Sequence, residues 1–307
     1  MPVRPAAATD LPGAPTVADL IRTGAARFTR AGLAFGHGTD NAVDEAAALV
    51  FHALGLDHAA AEAAYTVRPD AAGVARVQAL FDERIARRMP AAYLMGRMWF
   101  AGLEFEVDPR VIVPRSPFAE LIHDRFEPWL DPGRVRRILD IGTGSGCIAI
   151  ACAMAFPAAT VDAVDVSPQA LEVARRNVAR HGVGDRVHLR PGDVYEPLGA
   201  ARYDLIVSNP PYVSEAEMQQ LPPEYLHEPD LALRAGADGL DVVRRILGGL
   251  SRHLEPDGAL FVEVGDSDVR AQEAFPDLPL TWLEFEHGGG GVFLLRANDL
   301  KRTADGR

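Results

Sequence analysis

Four short clusters in this sequence combine residue types and spacings that can do chemistry, and each lies at the end of a short apolar run. The first is Asp140-Ile141-Gly142-Thr143-Gly144-Ser145-Gly146, which follows ILDI and opens GCIAIACAMAF. Its alternating glycines permit a tight turn and let main chain approach a ligand closely. The dinucleotide fingerprint GxGxxG needs a glycine at position 147, where Cys147 stands, and no GKS or GKT follows to make a P-loop. The second cluster is Asp165, closing TVDAVDV, 21 residues after Gly144. A carboxylate at this place in a nucleotide-binding βαβ unit accepts hydrogen bonds from ribose hydroxyls. Asp162 is the competing candidate, but it stands mid-strand and, by period-two counting, on the opposite face. The third is Asp193, just after VHLR and beside Gly192, which taken alone reads equally as a solvated turn aspartate.

The fourth cluster, Asn209-Pro210-Pro211-Tyr212 after YDLIVS, speaks to an acceptor. An NH2 group on an sp² carbon has a delocalised lone pair and is a poor nucleophile. Two oxygens aimed at its hydrogens, the Asn209 side-chain oxygen and the Pro210 carbonyl, would return electron density to nitrogen and fix its orientation. The prolines stiffen the turn, so these acceptors are preorganised. The Tyr212 ring can lie on the face of a planar amide or base. Other chemistry is thinly represented. The nine histidines show no HExxH or comparable ligand spacing, which predicts no metal, and no GxSxG is present. The only cysteines, Cys147 and Cys152, fall on the apolar segment after the glycine turn and read as core. His37, in FGHGTDN, reads as a loop residue beside a helix cap. Arg115, in VIVPRSP, stands where an incoming substrate would pass.

The elements that must position these residues fall into two patterns. Residues 16–31 read as an amphipathic helix with Thr16 as N-cap and Gly32 at its end; further helices are expected at 42–54 and 71–88. MWFAGLEFEV and VIV change to the period of a β-hairpin region. From about residue 120, strands at ILDI, TVDAVDV, VHLR, YDLIVSN, ALFVEVG, LTWLEFE and GVFLLR alternate for the most part with helical segments. This predicts an α/β chain with a seven-stranded, doubly wound, mostly parallel sheet, whose ligands sit at the carboxyl ends of the strands. The expected organisation is a loose tail over 1–15, a helical domain over 16–92, a β-hairpin connector over 93–114 and the α/β domain over 115–307. The start, with two early prolines and no apolar core segment, does not read as a signal peptide, and no stretch has the length of a membrane span; the expected location is the cytoplasm. The net charge is −12, and because residues 1–100 carry ten basic and ten acidic side chains, all the excess acid lies beyond them. That balance is poorly suited to neutralising phosphates and suits a basic protein partner or simple solubility.

The glycine turn with its preceding Asp140 resembles the S-adenosylmethionine loop of Rossmann-like class I methyltransferases, and the full motif set resembles the protein-(glutamine-N) methyltransferases with an NPPY motif and an N-terminal helical domain. The resemblance runs from about residue 16 to residue 296. One branch of that family modifies peptide chain release factors and commonly reads IPRPDTE after the hairpin. This chain reads Val113-Pro114-Arg115-Ser116-Pro117-Phe118-Ala119-Glu120 there, which is similar to the branch that modifies the third protein of the large ribosomal subunit. FGHGTDN, MWFAGLEFEVD, HEPDLALRAGADGL and HGGGGVFLL are also similar to that branch. The resemblance implies S-adenosylmethionine as cofactor, held by Asp140 and Gly142 through Gly146 and, at the ribose, by Asp165. It implies Asp193 and Val194 at the adenine, where the release-factor branch commonly has an aromatic residue in place of Val194. It implies Asn209, Pro210, Pro211 and Tyr212 around the substrate amide, with Asn209 also beside the cofactor and Arg115 on the substrate's path. The helical domain would then recognise substrate, a basic ribosomal protein. The rival expectations are a release-factor substrate, an exocyclic amino group of adenine or guanine in nucleic acid, and a non-enzymatic ribosome assembly factor on the same fold.

Overall fold

The computed structural model describes residues 13–57, 61–286 and 288–300. Twelve of the fifteen tail residues and His287 of the HGGGGVFLL segment therefore lie outside the described residues. The chain divides into two compact units: residues up to Gly96 together with Pro222–His227, and Arg97–Leu221 together with Glu228 onward.

The smaller unit is built from helices whose boundaries are set by short polar signals. Helix α1 (Val17–Arg30) starts with a capping box, in which the Thr16 hydroxyl accepts from Asp19 N–H while the Asp19 carboxylate accepts from Thr16 N–H. Asn41 caps α2 (Ala42–Leu54), and Asp70 caps α4 (Ala71–Arg87). Two short helices, α3 (Ala61–Ala64) and α5 (Ala91–Met95), were not expected. The helices bury Leu20, Phe28, Leu49, Phe51, Val77 and Phe81 in one core, with the Phe28 and Phe81 rings edge to face. In the same unit Arg84 is fully buried; it donates to Glu45 at 2.7 Å and to the Ala34 carbonyl at 3.0 Å, and reaches Glu224 at 3.5 Å. Glu224 also pairs with Arg88 at 2.8 Å and accepts from the Ala34 N–H at 3.0 Å. The segment Pro222–His227 is thus anchored among helices that precede it by over a hundred residues.

The larger unit opens with a hairpin, β1 (Arg97–Phe100) and β2 (Leu103–Glu106). The buried Asn177 ties it down, accepting from the Glu106 N–H at 2.8 Å and donating to its carbonyl at 3.0 Å. The expected continuation of β structure at VIV does not form. Val111 and Val113 are buried in backbone that is not strand, and the Val113 N–H goes to the Glu228 side chain at 3.0 Å. After α6 (Phe118–His123) come β3 (Arg137–Ile141), α7 (Cys147–Ala155), β4 (Thr160–Asp165), α8 (Pro168–His181), β5 (Val187–Pro191), β6 (Tyr203–Ser208) and α9 (Glu215–Met218), then α10 (Asp241–His253), β7 (Leu254–Glu263), α11 (Asp268–Ala274), β8 (Thr281–Trp282) and β9 (Val292–Arg296). The seven strands β3–β9 form one sheet, ordered β5-β4-β3-β6-β7-β9-β8. The first five run parallel, and β9 is antiparallel to both β7 and β8. LTWLEFE yields only the two-residue β8. Strand order reverses between β3 and β6, and the crevice at their carboxyl ends is where a doubly wound sheet binds its ligand. Both faces of the sheet are covered, one by a core holding Ile138, Val161, Leu205 and Phe261, the other by a core holding Leu139, Ile206, Leu250 and Leu260.

Candidate active site

The turn after β3 and the turn after β6 meet at that reversal point. The Gly142 and Thr143 N–H groups both donate to the Val164 carbonyl, at 2.9 and 3.0 Å, which bends the chain sharply across the end of β4. Gly142, Gly144 and Gly146 all take positive φ, a backbone region open to glycine at little cost. A side chain on Gly142 would sit 3.7 Å from the Asn209 carbonyl oxygen, so the two turns are direct neighbours. The Ser208 hydroxyl donates to the Ile141 carbonyl at 2.8 Å and locks the two strand ends together.

A cavity of about 280 Å³ opens beside these turns. Gly142, Gly144, Asp165, Asp193, Val194, Asn209, Pro210 and Pro211 line it, so eight of the residues singled out from the sequence converge on one space. Asp165 accepts from the Gly144 N–H and the Ser167 N–H, each at 2.8 Å, and burial raises its pKa above the usual carboxylate value, against the pull of these two bonds. Its rival Asp162 lines no part of the cavity; it faces Arg190 at 3.0 Å and the Tyr203 hydroxyl at 2.9 Å. The Asp193 carboxylate pairs with Arg245, which also lines the cavity. Val194 is buried at φ +50°, a left-handed conformation that a β-branched residue rarely adopts. Residues of Arg110–Ile112 and of the stretch from Leu231 to Gly236, inside HEPDLALRAGADGL, supply another wall, and no site role followed for them from the sequence.

The remaining singled-out residues stand behind this lining. Asp140 is fully buried beneath the glycine turn; one of its oxygens accepts from the Thr143 hydroxyl at 2.6 Å and the Ala149 N–H at 3.1 Å, and the other has no partner. Burial dominates those two bonds, and the nearby Asp165 charge adds to it, so its pKa is raised to about 7. The Ser145 carbonyl accepts from Asn177 at 2.9 Å, and the glycine turn is thereby joined to the hairpin residue Glu106. Arg115 forms a two-pronged pair with the buried Glu228, at 2.6 and 2.7 Å. Tyr212 lies outside the cavity lining, and its ring rests on Gly265, where an added Cβ would stand 2.6 Å from the ring. Its hydroxyl points to Glu263 at 3.3 Å. Glu263 was not singled out from the sequence. It is buried at the carboxyl end of β7, accepts from the Ser116 hydroxyl at 2.5 Å, and is pushed up to about 7 by burial. Its only signal in the sequence is an acidic residue near the end of the apolar run ALFVEVG. Cys152 is buried in the core and Cys147 is half-buried against it; burial pushes the Cys147 thiol up to about 12 and the Cys152 thiol well above its usual value.

A family model described as Methyltransferase small domain matches residues 126–236. Among curated proteins, the ribosomal protein uL3 glutamine methyltransferase of Bordetella pertussis is 50% identical over 93% of this chain and 96% of its own length. The protein of the same name from Xanthomonas campestris is 49% identical over 93% of this chain and 92% of its own length. The chain belongs to this family. Among solved structures, the hMettl16 catalytic domain, crystallised with a MAT2A 3′UTR hairpin, is similar with a TM-score of 0.50 and 17% identity, over 73% of this chain and 81% of that one. That likeness concerns the fold, which is that of class I methyltransferases, and members of the family are S-adenosylmethionine-dependent methyltransferases. Among the described residues no helix is long and apolar enough to cross a membrane, and no group of three or more His, Cys, Asp or Glu is arranged to hold a metal ion.

Proposed function

We propose that this chain transfers a methyl group from S-adenosylmethionine to the side-chain amide nitrogen of a glutamine in ribosomal protein uL3. The observation that carries the reading is the meeting of the Asn209-Pro210-Pro211 turn with the glycine turn on one cavity, in a chain about half identical to proteins named for this activity. The cavity fits the cofactor's chemistry. Glycine main chain at positive φ gives close approach, the Asp165 carboxylate retains free lone pairs for ribose hydroxyls, and Val164, Val166 and Val194 offer an apolar wall to a base. Gly142, Gly144, Asp165, Asp193 and Val194 would hold it. Asp140, Thr143, Ser145 and Gly146 act behind them, by fixing the shape of the turn. When bound, S-adenosylmethionine supplies a methyl group activated on a sulfonium sulfur.

The chain's own residues then do the positioning. The Asn209 side-chain oxygen and the Pro210 carbonyl accept the two amide hydrogens and turn the nitrogen toward the methyl carbon. The rigid Pro-Pro turn holds these acceptors in place before the reaction, so little reorganisation is needed as positive charge develops on nitrogen. Near-attack placement of the reacting atoms, about 3–3.5 Å apart, supplies much of the acceleration. Arg115, held by Glu228, borders the substrate's approach. We place the enzyme in the cytoplasm and assign recognition of the basic substrate to the helical unit, with the excess acid beyond residue 100 attracting it. The test is single-turnover methyl transfer to recombinant uL3 by the wild-type chain and by Asn209→Ala. The variant should be slower by about 10²–10³, the usual effect of losing one preorganised polar contact, with cofactor affinity nearly unchanged. Wild-type rates in Asn209→Ala would remove the acceptor role from this turn.

A further inference from the structure

Glu263 is a buried carboxylate that takes no part in the proposed transfer step. The β6–β7 ladder runs in parallel and its last pair is Ser208 opposite Val262, so Asn209 and Glu263 are the next residues of their two segments at the same end of the sheet. Two hydroxyls from separate parts of the chain donate to this carboxylate. The Ser116 hydroxyl lies at 2.5 Å on one oxygen and the Tyr212 hydroxyl at 3.3 Å on the other, and the Asn209 side-chain amide is near enough to influence its acidity, more weakly than either hydroxyl. The charged groups that face it are Arg115 and, through Arg115, Glu228.

An ionised carboxylate only accepts hydrogen bonds, whereas an asparagine amide can present either its oxygen or its NH2 to a partner. A carboxylate on one side of Asn209 therefore decides which end faces the other side. From this geometry we infer that Glu263 is the positioning residue of the acceptor site: by drawing the NH2 of Asn209 and the hydroxyl of Tyr212 toward itself, it turns the Asn209 oxygen toward the substrate amide. The inference rests on the proposed reading of the Asn209–Tyr212 turn as the amide site. The arrangement operates with Glu263 ionised. Burial is the largest influence on its acidity and raises it to about 7; Ser116, Tyr212, Arg115 and Asn209 act in the opposite direction. The free enzyme should therefore gain kcat/KM as pH rises through about 7.

The experiment uses the full chain, S-adenosylmethionine and recombinant uL3. Glu263→Gln keeps the shape and removes a buried charge, so the fold is not at risk, but its own NH2 competes for the same partners. We expect kcat to fall about a hundredfold, S-adenosylmethionine affinity to stay within threefold, and the rise of kcat/KM between pH 6 and 8 to vanish. Glu263→Asp keeps the charge and withdraws it by one methylene; it should keep the pH rise at a reduced kcat. A second readout needs no substrate. In 15N-labelled wild-type protein the side-chain NH2 signal of Asn209, assigned by its loss in Asn209→Ala, should titrate near pH 7, and in Glu263→Gln it should not. A Glu263→Gln enzyme with wild-type kcat and pH profile, or an Asn209 signal that ignores pH, would overturn the inference. If wild type leaves uL3 unmethylated, the proposed function fails, and the Asn209 titration still decides the role of Glu263.

Discussion

Replacing Asp140 with asparagine should make the protein less sensitive to alkaline pH, by an amount the site itself sets. The side chain is fully buried, receives two hydrogen bonds on one oxygen and none on the other, and has its pKa raised from 3.8 to about 7. A group whose pKa is raised in the folded state stabilises the fold fully below its unfolded value and loses that contribution as pH climbs through the folded one. About three units at 1.36 kcal/mol each is a loss of about 4 kcal/mol, of which about 3 kcal/mol falls between pH 5 and pH 8.5. Asparagine does not titrate. Its oxygen can take over the bonds from Thr143 and Ala149, while its NH2 inherits the position of the unpartnered oxygen at a cost of about 1–3 kcal/mol. The variant should therefore match or fall slightly below wild type at pH 5 and exceed it at pH 8.5. The difference in unfolding free energy should shift by about 3 kcal/mol across that window. Urea unfolding followed by circular dichroism at several pH values, with the slopes compared to exclude a changed denatured state, measures this directly. Parallel stability curves would show that Asp140 is not a buried, high-pKa group, and the account of the turn above it would fail. Calorimetric titration of S-adenosylmethionine adds a second check, because a residue behind the cavity lining should change affinity only a few-fold.

Two further expectations concern other charged groups. Asp165→Ala removes a carboxylate that lines the cavity and accepts from two N–H groups; it should weaken S-adenosylmethionine binding by about 1.5–3 kcal/mol in calorimetry, and unchanged affinity would return attention to Asp162. Arg84→Ala leaves the buried Glu45 carboxylate without its cation and Glu224 with Arg88 as its remaining one, and should cost about 3–5 kcal/mol of stability near neutral pH, with the deficit shrinking toward pH 5 as Glu45, already raised by burial, takes up a proton. A loss under about 1 kcal/mol in thermal or urea unfolding would mean that Arg88 alone holds Glu224.

Much of both units is legible in the sequence because its signals are local. Thr16, Asn41, Asp70 and Ser167 cap helices through bonds to residues two or three positions away, and Gly182 ends α8 in the left-handed region that glycine adopts freely. The order of glycine turn, Asp165, Asp193 and Asn209 at successive strand ends is legible for the same reason: each follows a strand that its own apolar pattern announces. Strand pairing at the margins is a different matter. Apolar periodicity says that a segment is buried, and it is silent on whether a partner strand lies alongside. Val111 and Val113 are buried, the Val113 N–H is satisfied by Glu228, 115 residues away, and all but two residues of LTWLEFE fall outside any strand.

The site divides along the same line. Motifs carry the residues that line the cavity, since turn geometry alone brings a glycine loop or an Asn-Pro-Pro turn to a strand end. The groups that hold those turns come from distant positions: Glu263 meets Ser116 across 147 residues and Tyr212 across 51, and Arg84 meets Glu224 across 140. No local pattern marks a carboxylate for such a role, because its acidity and its partners arise only when burial removes water and tertiary packing supplies the donors. The sequence by itself therefore determines which turns stand at the strand ends and line the cavity. Tertiary structure decides which buried charges hold those turns in shape, since the cost of desolvating a carboxylate and the bonds that offset it exist only in the folded chain.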